Sequence, residues 1–186
     1  MVMIDLITGF LGSGKTTFLK KYAEYLMDQG LHIGILENDF GAINVDMLML
    51  HELRGDQCEL EMIAGGCDAE SHRRRFRTKL ISMRMCGYDR VLVEPSGIYD
   101  VDEFFDVLRE EPLDQWYEIG NVIAILDARL EKNLSQQADY LLASEAANAG
   151  KVILSHADAA TREQCEDTVA CLLYTSPSPR DLSTSR

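Results

Sequence analysis

Residues 9 to 16 read Gly-Phe-Leu-Gly-Ser-Gly-Lys-Thr, a G-x-x-x-x-G-K-T run placed between the apolar segment Met3–Thr8 and a stretch of helical spacing that opens with Thr17-Phe18-Leu19. Few short patterns constrain a fold so tightly, because such a loop works only as the turn from a buried strand into a helix. Gly9, Gly12 and Gly14 let the backbone curl, so that the N–H groups of residues 12 to 16, Ser13 included, point inward at a helix N-terminus and form an anion nest. Lys15 is positioned to reach the outer phosphates of a nucleotide as a point charge. The Thr16 hydroxyl is positioned to ligate Mg²⁺, and Thr17 follows it into the helix. The loop therefore predicts a bound nucleoside triphosphate.

The rest of the chain alternates apolar runs with amphipathic stretches. Strands are predicted at Met3–Thr8, His32–Glu37, Cys58–Met62, Arg90–Glu94, Asn121–Asp127 and Lys151–Ser155. Helices are predicted at Lys15–Gln29, Glu70–Met85, Val101–Arg109, Leu134–Ala147 and Thr161–Ala170. Several strands, such as Val91-Leu92-Val93 and Val122-Ile123-Ala124-Ile125-Leu126, are apolar without alternation, as strands covered on both faces are. The expected fold is α/β, a P-loop NTPase of three α/β/α layers with a mostly parallel sheet and its ligand at the carboxyl ends of the strands. The length of 186 residues fits one domain. Residues 171–186 switch abruptly to Ser, Thr, Pro and Arg with no core period and read as foreign to the pattern. The expected division is thus a domain over 1–170, incomplete at its C-terminus, and a non-native-looking tail over 171–186.

A net charge of −13 argues against nucleic acid and anionic membrane as partners, since both require a basic footprint. The one basic stretch, Arg73, Arg74, Arg75, Arg77, Lys79 and Arg84, reads as a solvated helix face before it reads as a docking patch. No run is long and apolar enough for a membrane span, and five cysteines without a regular framework fit free thiols in a reducing cytoplasm.

Three further segments narrow the chemistry. Glu37-Asn38-Asp39-Phe40-Gly41 closes the second predicted strand, and Glu37 or Asp39 would hold Mg²⁺ or its waters. Val93-Glu94-Pro95-Ser96-Gly97 puts an acid at the end of a buried strand, in the Walker-B manner, with the Gly97 N–H able to report on the γ-phosphate. Ser155-His156-Ala157-Asp158 follows the last strand, where Asp158 could accept hydrogen bonds from guanine and favour GTP.

Taken together, Gly9-Phe-Leu-Gly-Ser-Gly-Lys-Thr-Thr17, Glu37-Asn-Asp-Phe-Gly41, Gly65-Gly66-Cys67, Glu94-Pro-Ser-Gly97 and the strand ending in Asp127 resemble the CobW family of GTPases, in the group that includes HypB and UreG. The resemblance runs from Met3 to about Asp158. It implies a GTP-hydrolysing domain of metallochaperone type, often followed in the family by a further domain. Two departures stand out. The family's Cys-x-Cys-Cys run is here Cys67-Asp68-Ala69-Glu70, which leaves one thiol, and its Asn-Lys-x-Asp loop is Ser155-His156-Ala157-Asp158, which keeps only the Asp.

A metal site in altered form would draw on Cys67 and His72, with Cys58 or Glu37, a mixed set suited to Zn²⁺ or another transition metal; a buried cysteine and a surface histidine are the plainer reading. For the reaction, the expected roles are charge neutralisation by the loop amides and Lys15, metal positioning by Glu94 with Glu37 or Asp39, and a switch over Gly41–Leu50. Three functions stay open: a GTPase coupled to metal or cofactor handling, a nucleotide-gated interaction switch, and a small-molecule kinase. A client metalloprotein and a homodimer are the partners that the first of these would bring.

Overall fold

The computed structural model describes residues 1–39, 45–64, 69–95, 101–129, 142 and 144–175. Six strands form one sheet: β1 (Val2–Thr8), β2 (Ile33–Asp39), β3 (Cys58–Ala64), β4 (Arg90–Pro95), β5 (Tyr117–Asp127) and β6 (Lys151–Ser155). Their spatial order is β3-β2-β4-β1-β5-β6, and every pairing between neighbours is parallel. The helices are α1 (Lys15–Asp28), α2 (Val45–Leu50), α3 (Ala69–Arg84), α4 (Val101–Leu108), α5 (Leu113–Trp116) and α6 (Arg162–Thr175), with a 3₁₀ turn at His51–Leu53 and further helical residues over 144–148. The fold is the expected P-loop NTPase arrangement, a parallel sheet with helices on both faces.

The uninterrupted apolar runs explain this layering. Ile4, Leu6, Leu36, Val91 and Val93 pack on one face with Phe76, Leu80, Met83 and Phe104 of α3 and α4. Ile7, Ile33, Ile35, Leu92, Ile123 and Ile125 pack on the other with Leu19, Ala23 and Leu26 of α1. Successive residues of a strand point to opposite faces, so a strand buried on both sides needs an apolar residue at nearly every position. Along α1 the buried residues Thr16, Leu19, Ala23 and Leu26 recur at helical spacing and give the helix its inner stripe.

Asp5 breaks the apolar rule in the middle of β1, with no exposed surface. Its Oδ2 accepts the Tyr22 hydroxyl at 2.8 Å and faces Arg90 Nε at 3.4 Å, while its Oδ1 accepts the Asn121 backbone N–H at 2.6 Å. The Asn121 N–H is released for this by a register shift, since Ile4 pairs with Ile119 and Leu6 with Val122. Gly120 lies in that bulge, and a Cβ there would sit 2.2 Å from Asp5 Oδ1. Because of the bulge β5 begins at Tyr117, four residues before the predicted Asn121: Glu118, Gly120 and Asn121 are polar or small and hide the strand's continuation from its apolar run.

Other boundaries differ modestly. The last helix, expected to stop at Ala170, runs to Thr175, into the stretch that composition marked as foreign. The helix predicted at Leu134–Ala147 is described only at 142 and 144–148, and the proposed switch Gly41–Leu50 only from Val45, where it is helical. Members of the basic stretch are engaged within the chain: Arg73 meets Glu110 at 2.6 Å, Arg77 meets the same carboxylate at 3.0 Å, and Lys79 meets Glu61 at 2.7 Å. Because all strands run in parallel, the segments after β1, β2, β4, β5 and β6 leave the sheet at one edge, where ligands bind in folds of this type.

Candidate nucleotide site

Three glycines shape the loop that leaves β1, with φ of 147° at Gly9, 76° at Gly12 and 88° at Gly14. Gly9 is the tightest: a Cβ on it would lie 2.2 Å from the backbone oxygen of Ile125, so β5 leaves no room for any side chain. Gly14 occupies the N-cap of α1 in the left-handed region, which aims the first helical N–H groups back into the loop. Ser13 is buried in the loop, 2% exposed, with its Oγ beside Gly9. Lys15 is 7% exposed, and its Nζ donates to Gly9 O at 2.8 Å and Phe10 O at 3.1 Å. The ammonium is thus tied to the loop rather than free to swing into solvent.

Thr16, Glu94 and Glu37 meet at the carboxyl edge of the sheet next to the loop. Thr16 Oγ1 donates to Glu94 Oε1 at 2.7 Å, with both side chains almost fully buried. A hydroxyl has one proton and two lone pairs, so giving the proton to Glu94 turns the lone pairs elsewhere, in the sense needed to accept a cation. Glu37 is the direct register partner of Glu94 across β2 and β4, about 5 Å away on the spacing of adjacent strands. It is 3% exposed. Two buried carboxylates beside a buried hydroxyl form an all-oxygen donor set, which fits a hard cation such as Mg²⁺ and not a thiophilic one. Asp39 ends β2 two residues beyond Glu37, at the same edge. Gly97 and Cys67 lie outside the described residues.

On the other flank a cleft of about 330 Å³ is lined by Gly14, Thr17, Phe18, Ser155, His156 and Asp158, among others. The turn after the last strand therefore puts Asp158 on the same cleft as Gly14 and Thr17. Ser155 Oγ donates to Leu126 O at 3.1 Å and lies 3.2 Å from His156 Nδ1. His156 holds φ of 52° and meets Asp127 Oδ2 at 3.1 Å. Both oxygens of Asp127 also accept from one edge of the Arg129 guanidinium, Nε at 3.0 Å and Nη2 at 2.9 Å. Hydrogen bonding from Arg129 holds its carboxyl down at about 2, with His156 adding to the effect. Where the resembling family places a lysine, this chain has a serine–histidine–aspartate–arginine cluster instead.

The transition-metal set fares less well. Cys58 starts β3 opposite Ile33, whereas Glu37 lies four residues further up β2 opposite Met62, about 13 Å along the sheet. Cys58 cannot join a site at the carboxyl edge, and burial pushes its thiol up to about 11. His72 is buried, not a surface residue, and its Nδ1 lies 3.2 Å from Glu103 Oε1 of α4. Among the described residues no cluster of three or more His, Cys, Asp or Glu could hold such an ion.

Sequence reasoning missed Glu145, a carboxyl 1% exposed that accepts the Thr8 hydroxyl at 3.0 Å just before the loop. Nothing but its position inside a predicted amphipathic helix was available to flag it. Arg129 was missed as well, although its spacing of two from Asp127 is a signal for a local ion pair.

A glycine-rich turn between strand and helix, a tethered lysine, a threonine–glutamate pair and a cleft beside the turn together define a P-loop nucleotide-binding protein. The sequence model of the CobW/HypB/UreG nucleotide-binding domain matches residues 3–176, and the chain belongs to that family. It is 31% identical over 157 residues to the zinc chaperone YeiR of Escherichia coli (strain K12), covering 81% of this chain and 47% of YeiR. It is 29% identical over 172 residues to the zinc chaperone YjiA of the same strain, covering 86% and 50%. The chain therefore spans about half the length of the curated relatives it matches. Among solved structures, the signal recognition particle receptor FtsY from Elizabethkingia anophelis in complex with GDP matches with a TM-score of 0.65, at 19% identity, over 95% of this chain and 56% of that one, a likeness of fold. The matched stretch of the family runs past Ala170, as α6 does. Among the described residues no helix is long and apolar enough to cross a membrane.

Proposed function

We propose that this chain is a Mg²⁺-dependent GTP-binding and GTP-hydrolysing domain that couples its nucleotide cycle to metal handling in the cytoplasm. The observation that carries the reading is the buried Thr16–Glu94 hydrogen bond of 2.7 Å, with Glu37 in register behind it and Lys15 tied to the loop. Lys15 and the loop amides bind the polyphosphate and neutralise charge that builds on its outer oxygens. Glu94 orients Thr16, Glu37 adds a second buried carboxylate toward the cation, and Asp39, two residues further along β2, is proposed as a further ligand to the metal or its waters. When bound, Mg²⁺ supplies charge neutralisation and orders water at the phosphates. Gly97, two residues beyond the end of β4 in the sequence, is proposed as the sensor of the terminal phosphate, and Asp158 as the group that reads guanine from the cleft that it and Thr17 line.

Zinc is proposed as cargo because the relatives YeiR and YjiA are named zinc chaperones. Its donors would be recruited around Cys67 with His72, and a client metalloprotein or a second copy of the chain would supply the rest. Phosphate release measured with GTP and with ATP, with and without Mg²⁺, tests the reading: GTP turnover that needs Mg²⁺ and is lost in Lys15→Ala supports it. Turnover unaffected by that substitution overturns it. Equilibrium binding of Zn²⁺, Ni²⁺ and Co²⁺ with and without nucleotide tests the cargo, and independence of the two ligands would remove the coupling.

A further inference from the structure

Glu145 is used by nothing described so far, yet it touches Thr8, the residue from which the phosphate loop departs. Its side chain is 1% exposed. Oε1 accepts the Thr8 hydroxyl at 3.0 Å, whereas Oε2 is buried and makes no hydrogen bond among the described residues. Thr8 is bonded directly to Gly9, whose carbonyl in turn accepts Lys15 Nζ at 2.8 Å. A short chain of contacts thus runs from Glu145 through Thr8 and Gly9 to the lysine that meets the phosphates.

A buried carboxyl with one oxygen satisfied and the other left without a donor is costly as an anion and much less so with a proton on that second oxygen. Burial accordingly raises its titration to about 7, opposed by Thr8, by the Lys15 charge and by the Gly9 N–H. Among the described residues Lys15, from the start of α1, is the ionisable group that bears on it; Thr8 and Gly9 come from the end of β1, and its own helical segment 144–148 adds no second charge. Entry of a polyphosphate engages Lys15 and adds negative charge, so the one favourable charge near Glu145 is spent on the ligand.

We infer that Glu145 is a positioning residue that braces the start of the phosphate loop through Thr8 and takes up a proton from solvent on Oε2 when a nucleoside polyphosphate binds. Binding then tightens as pH falls through neutrality, because the protonated carboxyl repels the ligand less. The inference rests on the nucleotide-binding reading above and adds a proton to its stoichiometry.

The test uses a non-hydrolysable GTP analogue with Mg²⁺ and the full chain, titrated by calorimetry between pH 6 and 8.5 in two buffers of different ionisation enthalpy. Wild type should take up protons near pH 7.5 and bind about 3- to 10-fold more tightly at pH 6 than at 8.5, relative to Glu145→Gln. That variant keeps an acceptor for Thr8 without a charge, so it should bind more tightly than wild type at pH 8.5 and equally at pH 6. Protonation of the ligand's own phosphates is common to both proteins and cancels in the comparison. Equal pH slopes in the two proteins would overturn the inference, as would net proton release by wild type should the variant fail to fold. If wild type binds no analogue at any pH, the nucleotide reading itself fails, which is a different result.

Discussion

Replacing Thr16 with valine preserves the β-branched shape and deletes one hydroxyl, which makes it a clean probe of the metal side of the site. The hydroxyl donates to Glu94 at 2.7 Å, and the two side chains are 7% and 6% exposed, so little water can take its place. A hydrogen bond to a buried charged acceptor contributes about 1.5–3 kcal/mol. For a domain of this size a urea slope of about 2 kcal/mol per M is ordinary, so the unfolding midpoint should fall by about 1 M. The measurement is made without nucleotide and in metal-free buffer, because the loss belongs to the protein alone. Glu94→Gln offers an amide oxygen that can still accept from Thr16, so it should cost less. The double variant should be less destabilised than the sum of the two by about 1 kcal/mol. In nucleotide binding, Thr16→Val should also abolish most of the gain that Mg²⁺ gives to wild type. An unchanged urea midpoint for Thr16→Val would refute the reasoning, since the hydroxyl would then not be committed to Glu94 before the ligand arrives.

Gly9→Ala should lose nucleotide binding and at least about 2 kcal/mol of stability by urea unfolding, because φ is 147° and the new methyl would sit 2.2 Å from Ile125 O. Asp5→Asn should cost about 3 kcal/mol by weakening the buried pair with Arg90, yet leave nucleotide affinity within about twofold, since this network lies toward the opposite strand ends. The Glu145 carboxyl is raised from 4.5 to about 7, so its own contribution to stability is full below pH 4.5 and is lost as pH rises through 7. Glu145→Gln should escape that loss, so its stability relative to wild type should grow by about 3 kcal/mol between pH 4.5 and 8.5, read from urea unfolding at each pH.

The parallel sheet was legible because buried strands must be apolar at successive positions, and Val91-Leu92-Val93 can mean little else between two helical patterns. The loop was legible for a different reason: Gly9, Lys15 and Thr16 each meet a stereochemical demand that few other residues satisfy. Glu37 and Glu94 were found as strand-end acids, but their side-by-side register follows from β2 lying next to β4, and pairing across two crossovers leaves no local trace. The same holds for Asp5, whose bulge partner Asn121 is 116 residues away. Glu145 was invisible because its chemistry comes wholly from burial against Thr8, 137 residues distant. Cys58 misled in the opposite direction, since a thiol was counted as a ligand before the strand's direction put it at the wrong edge.

The buried charges around the loop suggest how the ligand's own charge is accommodated. Among the described residues Glu37, Glu94 and Glu145 are each less than 7% exposed, against one buried ammonium, that of Lys15. With all three acids ionised, the walls would carry more negative than positive charge before a polyphosphate arrives, and in a poorly hydrated site that imbalance is expensive. The two sides differ in how they can relieve it. Glu37 and Glu94 stand side by side with a hydroxyl between strand and helix, an arrangement that a divalent cation satisfies and a single proton does not. Among the described residues Glu145 meets the Thr8 hydroxyl and the Gly9 N–H but no second acid, so a proton serves and a divalent ion would lack ligands. Magnesium and hydrogen-ion dependence should therefore separate by mutation: Thr16→Val should flatten the response of nucleotide affinity to Mg²⁺ while keeping its response to pH, and Glu145→Gln should do the reverse. A variant that flattened both would show that the two acid sites act as one.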